Sequence, residues 1–252
     1  MALRFPTMAE RPDLRAPARA LMSMWPAFMH HDPVGNTYFP RVRDEYPELQ
    51  FFAWHDESNE VVAGGDAVPA SWDDDPETLP DGGLDAVLEA SFAEGAPEPN
   101  VLCALQIVIA GEHRGRGLSV RMIERMATLA REHGLTRLVA PVRPSLKHRY
   151  PLTDIDRYAG WRRPDGTHVD PWLRTHERFG GQVLKVAPRS MVIPGTVAEW
   201  EGMDGHDLPG VGAVRRSRRV GPRRVRPRAR SRGLCRAQRL DAAPGLISRP
   251  AA

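Results

Sequence analysis

The stretch from Val101 to Gly134 constrains the fold more than any other. It opens with ten residues, Val101 to Ala110, that are apolar except for Gln106. A run of that length with both alternating faces hydrophobic is expected of a central strand covered on both sides. Gly111, Gly115 and Gly117 follow, with Arg114 and Arg116 between them. The apolar period then lengthens to that of a helix, placing Leu118, Met122, Ile123, Met126 and Leu129 on one face. Gly134 stands where a helix-ending glycine belongs.

A strand, a basic glycine turn and a helix N-terminus together form an anion site. The first N–H groups of the helix have no intrahelical partner and face whatever lies before it. Glycines allow close backbone approach, and arginines add charge and forked donors. These physical features point to a phosphate-bearing ligand. Arg114-Gly115-Arg116-Gly117-Leu118-Ser119 further resembles the R/Q-x-x-G-x-G/A signature of the GNAT superfamily of acyl-CoA-dependent N-acyltransferases. Ser119 replaces the final Gly/Ala, and Gly111 stands where many members have proline. Serine is small and able to cap the helix.

The remaining elements follow in an order similar to that of the GNAT fold. Residues 9–31 read as a helical segment interrupted by Pro12, Pro17 and Pro26, followed by a turn at Asp32 to Asn36 and a short helix from Tyr38 to Tyr46. Gln50 to His55 and Glu60 to Ser71 read as an antiparallel hairpin, and residues 84–94 as a helix. After the central stretch come a strand from Leu135 to Val142, an irregular segment at 143–170 and a short helix from Trp172 to Phe179. A strand from Gln182 to Ile193 breaks at Pro188, and Thr196 to Glu201 forms a last helical turn. Thr175-His176-Glu177-Arg178-Phe179-Gly180-Gly181 is similar to the F-Y-E-K-x-G-F segment of that superfamily. The resemblance spans roughly residues 10–195 and implies an α/β (α+β) fold, a twisted, mixed, mostly antiparallel sheet flanked by helices.

The resemblance also implies a division of labour. Backbone N–H groups of Gly115, Arg116, Gly117, Leu118 and Ser119, with Arg114 beside them, would hold the pyrophosphate of coenzyme A. Ile107 and Ile109 would align its pantetheine arm, and Arg121 would reach the ADP part. An amine then attacks the thioester directly, which requires a neutral amine and a proton donor for the departing thiolate. The tyrosine that donates in many relatives is replaced by His176, which donates when protonated, with a reference pKa of about 6.5. Tyr150 and Tyr158 are rival donors. No residue stands out as base: Gln106 does not titrate, and Asp154, Asp156, Glu89 and Asp73-Asp74-Asp75 qualify only by being acidic. Cys103, inside an apolar strand, reads as a small hydrophobe.

Charge divides the chain in two. Residues 203–252 hold 13 of the 35 Lys and Arg but 3 of the 32 Asp and Glu, so a strongly basic tail follows an acidic body. The 12 arginines of residues 213–240, with no lysine, suit a disordered arm. They also suit a slip of reading frame in GC-rich DNA after Met203, where Met203-Asp204 forces the base string ATGG and the neighbouring frame opens on Trp. The expectation is therefore a GNAT-like domain at 1–202 and a frameshifted, functionless, disordered tail at 203–252.

No apolar run approaches the ~20 residues of a membrane span, and Cys103 and Cys235 give neither a disulfide framework nor metal spacing. The chain is thus expected to be a cytoplasmic N-acetyltransferase. It would use acetyl-CoA as co-substrate, without metal, on a small-molecule or peptide amine, with no membrane and no nucleic-acid partner. Two rival readings are an inactive acyl-CoA-binding regulatory module and an arginine-rich nucleic-acid-binding protein.

Overall fold

A computed structural model describes residues 3–196, 199 and 200, and the backbone of residues 233–239. Seven strands form one sheet in the order β1-β2-β3-β4-β5-β7-β6. These are β1 (Leu3–Arg4), β2 (Phe51–His55), β3 (Glu60–Ala70), β4 (Val101–Ile109), β5 (Arg137–Val142), β6 (Gln182–Ala187) and β7 (Gly233–Arg239). Every neighbouring pair is antiparallel except β4 and β5. The mixed, mostly antiparallel sheet expected from the sequence is therefore observed.

The central strand is buried on both sides, as its composition demands. On one face, α4 (Leu118–Glu132) packs Met122, Ile123, Met126 and Leu129 against Phe51, Ala63 and Leu102. On the other, α2 (Pro33–Glu45) and α3 (Gly83–Ser91) bring Val42, Leu84 and Leu88 onto Val68, Cys103 and Leu105. Leu102 and Cys103 are neighbours in sequence and lie in opposite cores, which is the period-2 geometry of a strand.

The N-terminal segment departs from the helix expected there. Its prolines remove donors and fix φ, so residues 12–31 form 3₁₀ turns and one four-residue helix, α1 (Arg15–Ala18). The turn expected at Asp32 to Asn36 is instead the start of α2. Asp32 accepts from the Val34 amide and Pro33 takes the first helical position, an N-cap and N1 pair. The segment expected to be irregular at 143–170 contains α5 (Ile155–Ala159) and leads to α6 (Pro171–Arg178). Residues 199 and 200 are helical; 197, 198 and 201 lie outside the described residues.

Gly233–Arg239, assigned from sequence to the disordered arm, forms β7 and pairs with β5 on one side and β6 on the other. The rest of the 203–252 tail lies outside the described residues. No described helix is long and apolar enough to cross a membrane.

The feature that makes a site is where β4 and β5 part. They pair at Val101–Arg137, Leu102–Leu138 and Cys103–Val139, and nowhere beyond. β4 carries a bulge there: Gln106 faces Asp66 and Ala104 faces Ala67, so Leu105 has no partner on β3. β5 carries Pro141, which has no N–H to offer a neighbour.

Candidate active site

The turn before α4 has the geometry its glycines predict. Gly115 and Gly117 have φ of 75° and 78°, the left-handed region that β-carbon-bearing residues avoid. A β-carbon added at either would meet nothing within 4 Å, so the space before the helix is open. Among the described residues, the amides of Gly115 to Ser119 have no backbone acceptor. Gly117 occupies the N-cap position and no side chain caps the helix, so Ser119 does not play the capping role its chemistry allows. Leu118 turns its side chain into the core and has only its amide to contribute.

The two arginines of the turn differ. Arg114 folds back, its Nε donating to the Ile109 carbonyl at 3.1 Å and its Nη2 lying 3.6 Å from the Met24 sulfur. Arg116 is exposed. Arg121 donates to the Leu3 carbonyl at 3.5 Å and stacks over Phe5, which ties α4 to the N-terminus.

From the split between β4 and β5 opens a cleft of about 870 Å³. Ala104 to Ile107 of β4 form one wall and Ala140 to Val142 of β5 the other. Trp172 and His176 of α6 line it, and Trp172 packs with the α4 core. Asp32, Phe39 and Leu84 line it as well, and Phe39 and Leu84 belong to the α2–α3 core on the other face of the sheet. The cleft therefore joins the two faces of the sheet. Ile107 lines it and Ile109 does not.

Of the three proton donors expected from the sequence, the structure brings only His176 into this cleft. Its ring meets Trp172 edge-on at 4.5 Å, and the residue is 9% exposed. Tyr158 is fully buried and donates from its hydroxyl to Asp170 at 2.9 Å. Burial pushes its pKa up, and the neighbouring carboxylate adds to that, so it is a structural tyrosine. Tyr150 is 38% exposed and rests edge-on against Trp161. Of the expected bases, Asp154 lines the cleft. Asp73 and Asp75 are spent on local turns and Asp74 on Arg137.

Four polar groups of the cleft region were not legible in the sequence. Asp66 accepts from Arg43 at 2.9 and 3.3 Å and from the Gln106 amide. Burial opposes the Arg43 charge, but Asp66 outweighs it and raises the guanidinium pKa. Asp32 is 2% exposed and lines the cleft; its Oδ1 accepts from Val34, and its Oδ2 has no hydrogen-bond partner. Burial raises its pKa against the opposing amides of Gly35 and Val34. Close by, Asp85 accepts from the Val192 amide at 2.8 Å and is pushed up to about 6, first by burial and then by the charges of Asp32 and Glu89. The Asp32-Pro33 pair carried a readable helix-start signal; the others meet only through the fold.

The raised carboxyl has a measurable consequence. A folded-state pKa above the unfolded one gives stability that is full below the unfolded value and is lost as pH rises through the folded value. Asp85→Asn is therefore expected to be more stable than the parent at pH 8 by about 1–2 kcal/mol, with the difference vanishing below about pH 4. Urea unfolding across that range is the check.

Comparison with known proteins agrees with this geometry. The model of the acetyltransferase (GNAT) family matches residues 18–152. The chain is 33% identical over 222 residues to the arginine N-acetyltransferase avaD of Aspergillus versicolor, covering 80% of this chain and 76% of that protein. Among solved structures, the loading GNATL domain of CurA from Lyngbya majuscula superposes with a TM-score of 0.60 at 19% identity, over 95% of this chain and 97% of that one. The GphF GNAT-like decarboxylase in complex with isobutyryl-CoA gives 0.61 at 16% identity, over 95% and 100%. At those identities the two structures speak for the fold. A split sheet, a glycine turn of unpaired amides and a sequence match over more than half its length lead to one assignment: the chain belongs to the GNAT acetyltransferase family and is an N-acetyltransferase.

Proposed function

We propose that the chain moves an acetyl group from acetyl-CoA to a primary amine of a small molecule by direct attack of the neutral amine. The observation that carries this reading is the cleft that crosses the sheet where β4 and β5 separate, with the open turn Gly115–Ser119 at the end of the same strand. The open turn suits a long donor held by its phosphates, and the cleft leaves room for an acceptor. In this reading the thioester supplies an activated acyl carbon, and the protein supplies placement.

The amides of Gly115, Arg116, Gly117, Leu118 and Ser119 hold the pyrophosphate, as unpaired N–H groups at a helix N-terminus do. Arg116 adds charge, while Arg114 is spent mainly on bracing β4 against the turn. Ile107 offers backbone groups to the pantetheine arm; Ile109, with its carbonyl engaged by Arg114, has less to offer. The acceptor nitrogen bonds to the acetyl carbon as the carbon–sulfur bond breaks; His176 gives a proton to the departing sulfur, the nitrogen loses its proton to water, and His176 regains one from water. Arginine, the acceptor named for the A. versicolor relative, is the first to test.

Calorimetry of the full chain with acetyl-CoA, followed by thiol-release assays with arginine and other primary amines, tests the proposal. Micromolar binding and amine-dependent thiol release are expected; a folded chain that binds no acetyl-CoA at millimolar concentration would overturn it.

Gly117→Val probes the turn. A β-branched residue at a φ of 78° costs about 1–2 kcal/mol locally and crowds the anion. Acetyl-CoA affinity is expected to fall about tenfold or more, while the midpoint of thermal unfolding moves by only a few degrees.

A further inference from the structure

The cleft is lined by two side chains of opposite charge type, Arg143 and Asp32, neither of which makes an ion pair among the described residues. Arg143 follows β5 and lines the cleft. Its Nη1 lies 2.8 Å from the Met29 sulfur and its guanidinium 5.9 Å from the Phe28 ring. Among the described residues no carboxylate lies within 4.0 Å of it. Other inward-facing arginines are matched: Arg43 with Asp66, Arg125 with Glu132 and Arg137 with Asp74. Burial lowers the Arg143 pKa with nothing to offset it. A guanidinium drawn from water without an anion is a cost that an anionic ligand removes.

The complement is Asp32, three residues after Met29. The residue is 98% buried, its Oδ2 is unpartnered, and it lines the same cleft. The Val34 amide that it caps donates to Oδ1. Asp85 lies close enough to feel its charge. Arg43, which also lines the cleft, is committed to Asp66. Lys147 and His148 also line the cleft, and the Lys147 ammonium donates to the Tyr150 carbonyl.

We infer that Arg143 and Asp32 read the two ends of one acceptor, a free amino acid with a basic side chain: Arg143 pairs with its carboxylate and Asp32 with its side-chain cation. This rests on the proposed amine acetylation and adds the substrate class and the residues that select it. The amine beside the carboxylate is the nucleophile, because a guanidinium stays protonated. Arg143 and Asp32 line the same cleft and form no ion pair with each other within 4.0 Å, which leaves both for a ligand that bridges them. A site built to pair a group penalises the analogue that lacks it, since its own buried charge is then left alone.

Three acceptors with the same primary amine separate the two contacts: L-arginine, agmatine without the carboxylate, and citrulline without the cation. For the parent, kcat/KM is expected to favour arginine over each analogue by about tenfold or more. Arg143→Gln should bring the arginine-to-agmatine ratio near one and keep the citrulline ratio. Asp32→Asn, which preserves the cap, should do the reverse. A parent that does not discriminate, variants that keep the parental ratios, or an Arg143→Gln effect on acetyl-CoA affinity alone would overturn the inference. A parent that acetylates other amines but not arginine overturns it and leaves the proposed acetyl transfer standing. If no amine is acetylated, calorimetric affinities of the parent and both variants for the three compounds decide by the same ratios.

Discussion

Asp170→Ala is expected to destabilise the fold by about 3–5 kcal/mol, as the loss of the acceptor at the centre of a buried hydrogen-bond network does. Asp170 has no solvent exposure. Its Oδ1 accepts from the Ser145 amide and hydroxyl and from the Trp172 and Leu173 amides, and its Oδ2 from the Leu146 amide and the Tyr158 hydroxyl. One carboxylate thus caps α6, fixes the loop after β5 and anchors α5. Its own amide donates to His168 Nδ1, whose Nε2 therefore carries the proton and donates to the Ala159 carbonyl. Burial favours the protonated acid, but the donors from Leu146, Tyr158 and Ser145 outweigh it and hold the pKa below the usual carboxylate range.

Alanine leaves those donors buried without an acceptor, and each unsatisfied group costs about 1–3 kcal/mol without adding fully. Because the folded pKa is depressed, the contribution is whole above the unfolded value near 3.9 and is lost as pH falls through the folded one. The difference between parent and variant in urea should thus hold from pH 8 to about pH 5 and shrink below about pH 4. A constant difference down to pH 2 would mean that packing, not the carboxylate, carries the effect. Ser145 lines the cleft, so the variant should also lose activity where it remains folded.

What the sequence revealed follows from how far apart the cooperating residues lie. The strand, turn and helix at 101–134 were readable because their signals are local: an apolar run, glycines at fixed offsets, a 3.6-residue period. The β2–β3 hairpin was readable for the same reason. The lining of the cleft was only partly readable: His176 stood out through its local motif, but Asp32 and Arg143 belong to separate segments that join it only where β4 and β5 separate. Tyr158 showed the opposite failure. It looked available in a polar segment, yet Asp170, twelve residues on, makes that segment part of the core. A tail whose composition suggests disorder supplies β7, since pairing between two existing strands asks little of side-chain pattern. The N-terminal prolines were visible, but their outcome, a chain of 3₁₀ turns that carries Met29 to Arg143, depended on the cleft it borders.

His176→Gln is expected to lower kcat by about 10²–10⁴, the span for a positioned general acid, with acetyl-CoA affinity held within about twofold. The reason is geometric. Among the three donors considered from sequence, His176 alone lines the cleft, held edge-on by Trp172 in a helix whose last turn is fixed by Gly180 at a φ of 86° and by the Gly181 amide on the His176 carbonyl. Glutamine keeps the size and a donor but releases no proton, so it removes acid catalysis and little else. Tyr150→Phe tests the rival and should keep kcat within about twofold, because that ring packs on Trp161 outside the cleft. A leaving group that needs no protonation separates chemistry from placement. With an activated thioester whose thiol has a low pKa, the His176→Gln deficit should shrink toward the parental rate, as lost acid catalysis predicts. A deficit that stays constant across thioesters would instead assign His176 to positioning, through its packing on Trp172. An unchanged kcat in His176→Gln with a large loss in Tyr150→Phe would move the donor to Tyr150, in the loop between β5 and α5.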